Sequence, residues 1–399
     1  MRSHAALAAL LLALPGCAHL GGKPVPGPEA GPTGLDPLAR TALERGASSL
    51  DVSTRMRSLD LLLRCVPTAE LQGLALRAFY DPSAWVRRRA VEALGARRPE
   101  PETTALLETA LARPELGSAT RARAGELLLE RGQPDLSAQL SAAWRALPRG
   151  WESVPLALVA LRAGDAEAEA VVAAALREGL FPQEAGFFVT VGESGHAGLA
   201  GALREARPLV EEDLQAPLGL ALLLLGDADG ETLLTAALRG DDELAAMEAI
   251  DVLRTSDDPS ARTLLAQTRG ARGIAGVYAD LLAVGDGGAP LALAVSALSD
   301  ADPARRCLGL EAIGRRLAAV PLGEGLKRTE REAHDLALSA LEDPEGEVRA
   351  CAARALPDLA RPADRALLEP LVAAQDPDAE AEALQIEAAA ALIALRRGG

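Results

Sequence analysis

Asp81-Pro82-Ser83-Ala84-Trp85-Val86-Arg87-Arg88-Arg89-Ala90-Val91-Glu92-Ala93-Leu94-Gly95 is the stretch that decides the fold. An Asp followed by Pro opens a helix: the carboxylate accepts free N–H groups of the first turn, where Pro has no donor to leave unpaired. Gly closes it, since it alone turns left-handed at no cost. Between them Val86, Ala90, Ala93 and Leu94 stand at i, i+4, i+7 and i+8, on one helical face. Residues 343–356 repeat the unit, with Val348, Ala352, Ala355 and Leu356 at the same spacing. Looser copies run over 300–314, 240–253, 119–128 and 51–62, and Ala245, Ala249, Val252 and Leu253 keep the pattern.

Working outward, second helices are predicted over 101–113, 134–147, 166–178, 231–239, 260–268 and 330–341. Turns reading Gly-Asp (164–165, 226–227, 285–286) close one helix and cap the next. First helices start near 51, 84, 119, 151, 183, 214, 242, 272, 303, 346 and 381, about eleven units in all, most steps being 28 to 35 residues. The longer step from 303 to 346 places an insertion around 321–329. Composition agrees: aromatics are 2% and hydrophobics 49%, so Ala, Leu and Val must build the core, and alternating β-branched segments are scarce. The expectation is an all-α solenoid, whose hairpins cannot bury their apolar faces alone and stack into one core.

The D-P-x-x-x-V-R-x-x-A-x-x-A-L pattern of 81–95 and 343–356 resembles the HEAT repeat, in the short form shared with the phycobilisome-lyase group. Tetratricopeptide repeats have a similar period, but their Trp, Tyr and Pro marks are missing. The resemblance implies a right-handed α-α superhelix; first helices are expected on its convex side, second helices along its concave face. Arg55, Arg87, Arg121, Arg306 and Arg349 fall at equivalent positions. In HEAT-like repeats the matching Arg generally bonds an Asp of a neighbouring unit, so the resemblance implies a structural column. Asp81, Asp300 and Asp343 are the candidate partners and the expected helix caps. An anion-binding ladder is the rival reading.

The N-terminus has a different character. Arg2 and the apolar run 5–14 precede Leu14-Pro15-Gly16-Cys17. Ten apolar residues are too few to cross a bilayer, which takes about 20, and the pattern is that of a secretory signal over 1–16. Leu14, Gly16 and Cys17 resemble the lipobox of bacterial lipoproteins, which implies acylation of Cys17. With Ala18 following, the resemblance implies, in a Gram-negative cell, delivery to the outer membrane, facing the periplasm. Residues 17–36, dense in Pro and Gly, read as an extended tether, and 37–399 as the repeat body.

Little in the body suggests chemistry. Net charge is −16, which disfavours nucleic acid, because duplex binding draws on Lys and Arg at phosphates. Past the tether, His196 and His334 are isolated, so no metal ligand set is expected. One HEAT-like enzyme family, deoxyhypusine hydroxylase, holds iron through His-Glu pairs; Ala197 and Asp335 follow the histidines here. Gly192-Glu193-Ser194-Gly195-His196 lacks the spacing of a nucleophile elbow. Asp227-Ala228-Asp229-Gly230 would put Ala236 where a calcium loop needs Glu, and 285–288 lacks the Gly-Lys-Ser/Thr of a nucleotide loop. Cys65, Cys307 and Cys351 are odd in number and widely spaced, and are expected as buried free thiols. The reading is a membrane-anchored protein-binding scaffold without catalytic, cofactor or metal residues. An unknown protein partner would lie on the concave face, where Glu108, Gln139, Arg145, Glu169, Arg239 and Arg262 are candidate exposed positions. The alternatives are a lyase-like enzyme or enzyme subunit and a purely structural spacer.

Overall fold

A computed structural model describes residues 35–133, 136–240, 242–270, 274–321, 325–374 and 379–398. Cys17, the signal segment and most of the tether lie outside them. Among the described residues the chain is all-helical, with 22 α-helices and no strand. They are α1 (Pro37–Gly46), α2 (Val52–Cys65), α3 (Thr68–Phe79), α4 (Ala84–Gly95), α5 (Pro101–Ala112), α6 (Ser118–Glu130), α7 (Leu136–Arg145) and α8 (Val154–Arg162). Then come α9 (Glu167–Glu178), α10 (Ala185–Glu193), α11 (Leu199–Ala206), α12 (Gln215–Leu224), α13 (Ala228–Arg239), α14 (Glu243–Thr255) and α15 (Pro259–Thr268). The chain ends with α16 (Ile274–Gly285), α17 (Leu291–Ala297), α18 (Pro303–Ala318), α19 (Arg328–Ser339), α20 (Gly346–Leu359), α21 (Arg365–Ala373) and α22 (Ala379–Gly398). Every even-numbered helix from α2 begins within three residues of an expected first helix. Odd-numbered helices from α3 are the second helices, and α1 precedes them all.

The local causes are those the sequence offers. Asp51, Asp242, Asp258 and Asp302 are N-caps whose carboxylates accept first-turn N–H groups. Gly164 and Gly226 turn with φ of 95° and 77°, and Asp165 and Asp227 accept from the N–H groups of Glu167 and Asp229. Thus Asp227 is a helix cap. Helices α8 and α12 carry apolar residues on all faces, and residues 154–161 and 216–222 are all buried, as expected for a helix surrounded by neighbours. A Cβ on Gly230 of α13 would meet the Leu223 nitrogen at 2.3 Å and the Gly219 carbonyl oxygen at 2.6 Å. That approach lets α12 and α13 pack backbone to backbone. Ala216, Leu220, Leu234, Ala249, Leu253, Ala261 and Leu264 form one cluster across the four successive helices α12 to α15.

The described chain divides into two compact units, one holding Ala75–Gly276 and the other the residues up to Leu74 together with Val277 onward. In the first, consecutive even helices from α4 to α14 pack on one another. Arg88 of α4 donates to Glu184, at the start of α10, at 2.6 Å, and Thr190 of α10 donates to Glu126 of α6 at 3.3 Å. Both contacts skip intervening helices. The first helices α4, α6 and α10 therefore come together along one side of this unit. In the other unit α18, α20 and α22 pack in order, α1 lies against α2, α21 and α22, and α2 also touches α22. Cys307 of α18 and Cys351 of α20 form a disulfide, correcting the expectation of free thiols. The two cysteines are 44 residues apart, one more than the long repeat step, so the bridge joins neighbouring first helices. Cys65, partly exposed, stands outside this disulfide.

Candidate functional site

The arginine column has a repeated geometry. Arg55, Arg87, Arg306 and Arg349 each aim one guanidinium nitrogen at the two carbonyls six and five residues earlier. The acceptors are Ser49 and Leu50, Asp81 and Pro82, Asp300 and Ala301, and Asp343 and Pro344, all within 2.8–3.4 Å. These arginines hold the loop that leads into their own helix. The carboxylates of Asp81, Asp300 and Asp343 accept the N–H two residues on, at 2.8–2.9 Å. The helix N-caps are therefore Ser83, Asp302 and Glu345, and the Asp residues expected as caps stand two positions earlier in Asx turns. Arg306 also grips Asp343 of the next unit with two bonds of 3.1 and 3.0 Å, the inter-unit pair the resemblance implied. Arg121 departs from the pattern: it is buried and donates to the Leu111 carbonyl at 2.8 Å, and burial lowers its pKa.

The side on which first helices of the Ala75–Gly276 unit meet is a charged seam. Arg89 donates to Glu92 at 3.1 Å, Arg123 pairs with Glu126 at 2.8 Å, and Arg88 bonds Glu184. Burial opposes the charge on Arg123, but Glu126, with Glu130 and Glu92, outweighs it and raises the pKa. Burial pushes the Glu193 carboxyl up, aided by Glu126 and Glu130 and opposed by Arg162 and Arg123. On α14, burial lifts Glu248 to about 7, reinforced by Asp213, Asp242 and Asp251. This seam escaped sequence reasoning, which singled out charged positions on the second helices only. Of the positions expected to line the concave face, Glu108, Gln139, Arg145, Arg239 and Arg262 are exposed and Glu169 is half-buried, but all of them sit on second helices.

The histidines are held by carboxylates. His196 Nδ1 is 3.3 Å from Glu169 Oε2, in the turn where Gly195 has φ of 71° and Ser194 donates to the Val191 carbonyl. His334, buried on α19, sits between Asp335 at 3.0 Å and Asp364 at 2.9 Å. Among the described residues no group of three or more His, Cys, Asp or Glu could hold a metal ion, and no helix is long and apolar enough to cross a membrane. Arg207, Pro208, Val210, Glu212 and Gln215 line an open surface depression. Tyr80, Trp85 and Trp151 are the large aromatic side chains most exposed to solvent.

No family model matches the chain, and no curated protein is similar to it. Among solved structures it is similar to the crystal structure of an engineered protein, at 15% identity and a TM-score of 0.25, over 91% of this chain and 100% of that one. A likeness that slight carries no argument about function.

Proposed function

We propose that the chain is a lipid-anchored HEAT-type solenoid that serves as a protein-binding scaffold in the bacterial cell envelope. The observation that carries this reading is the charged seam, where Arg88 of α4, Arg123 and Glu126 of α6, and Glu184 and Glu193 at the two ends of α10 come together. Extended surfaces built from many repeats suit protein partners, and a surface of alternating charge selects among them by complementarity. The Arg306–Asp343 pair between neighbouring copies supports the HEAT reading. The Leu14-Pro15-Gly16-Cys17 stretch supports an acylated anchor, and the Cys307–Cys351 disulfide suits an oxidising compartment such as the periplasm.

Two experiments test the reading. Replacing Cys17 with Ser is expected to abolish acyl labelling and move the protein from the membrane to the soluble fraction; an unchanged distribution would refute the anchor. Crosslinking in intact envelopes should then recover a partner with the native chain and lose it with Arg123→Glu combined with Glu184→Arg. Equal recovery from both chains would rule out the seam as the binding surface.

A further inference from the structure

In an array of hairpins each unit covers the apolar face of the one before, so the last helix has one side with no neighbour. Repeat proteins usually solve this with a terminal unit whose outer face is polar. Here α22 has no such face. Ile386, Ala388, Ala389, Ala391 and Leu392 are almost wholly buried, and so are Gln385 and Glu387. What covers them comes from the other end of the chain. Ala39, Ala42, Leu43 and Gly46 of α1 are all buried, and α1 packs beside α22, after α21 and before α2. Those are the places that a second helix following α22 would occupy.

We infer that α1 is the second helix of the eleventh hairpin, supplied from the opposite end of the chain, and that this joint is a latch between the two termini. The polar contacts at the seam are specific. Asp36 caps α1 through the N–H groups of Leu38 and Ala39 and also receives Arg365 of α21 at 2.9 Å. Arg45, in the last turn of α1, donates to the Ala374 carbonyl at 3.0 Å. The Gln385 amide satisfies the carbonyls of Val372 and Ala374 at 2.7 and 2.9 Å, which α21 leaves open at its end. Arg57 of α2 clasps Glu387 of α22 with two bonds of 2.8 Å. Burial disfavours the Arg57 charge, yet Glu387, helped by Asp60 and Asp358, more than compensates and raises its pKa. Gly46 sits where a Cβ would meet Ser58 Oγ at 2.3 Å and the Ile386 methyl at 2.7 Å, so the fit of α1 leaves no room for a larger residue.

The test is hydrogen exchange on the full chain with Gly46→Leu, which wedges the latch. Exchange in 379–396 and 365–373 is expected to quicken about tenfold or more along with α1, while 101–240 stays protected. Deprotection confined to 37–46 would overturn the inference, because α1 would then be an appendage on an independently stable end. Should Gly46→Leu not fold, the milder Arg365→Ala is read the same way. A chain starting at residue 48 adds a second arm: a synthetic peptide of residues 35–47 should restore its melting temperature saturably. Absence of any such rescue from a folded truncated chain would also overturn the latch.

Discussion

At the scale of single residues, the Arg306–Asp343 pair separates a structural column from a binding ladder. Both side chains are mostly buried and doubly bonded, so removing one strands the other. Arg306→Ala should cost about 2–3 kcal/mol of stability in urea denaturation, whereas a ladder that only bound anions would leave stability unchanged. His334 gives the chain a pH signature. The Asp364 hydrogen bond, with Asp335 adding to it, raises its pKa above the free value of 6.5 against the pull of burial. A raised histidine stabilises the fold fully below its unfolded pKa and loses that contribution as pH climbs through the folded value. Burial pushes Asp364 up, but His334 and the Arg361 N–H more than reverse this and lower it, so its own contribution disappears only in acid. The melting temperature should therefore fall as pH rises above about 6.5, and His334→Gln should flatten that slope. An identical slope in the variant would show that other groups set it. Arg87, Arg306 and Arg349 were legible because each stands six residues after an Asp. The disulfide was not, because Cys307 follows its column arginine by one residue and Cys351 by two, which hides their equivalence.

At the scale of elements, helix starts were legible wherever an Asp or Gly marks them. Helices α8, α10 and α12 were read from period alone: with apolar residues on every face, α8 and α12 have no face to detect. What betrays them is an apolar run bounded by turns, and their depth in the fold explains it. The α12–α13 crossing has its own test. Gly230→Ala forces a methyl against the backbone of Leu223 and Gly219, and should cost about 1–3 kcal/mol or more. A chain that tolerates alanine there with an unchanged urea midpoint would contradict the backbone contact.

At the scale of the whole molecule, the cysteine bridge is a condition for stability. Closing a loop of 44 residues is worth about 4 kcal/mol on a chain-entropy account. Cys307→Ser, or reduction, should lower the melting temperature by several degrees, and an oxidised chain that melts no higher than the reduced one would remove this staple from consideration. The succession of helix pairs was readable from the period of the outer units, which carries through the middle ones where no local signal stands. The pairing of the first helix with the last was not, because no property of residues 37–46 taken alone points to a partner more than 300 positions away.

That pairing has a consequence for biosynthesis. Arg45 and the Ala374 carbonyl it bonds are separated by 329 residues, and a ribosome adding about 5–20 residues per second needs on the order of tens of seconds to span them. The unit that begins with α1 stays unfinished until α22 has been made, while the stretch Ala75–Gly276 has all its own helices available for packing earlier.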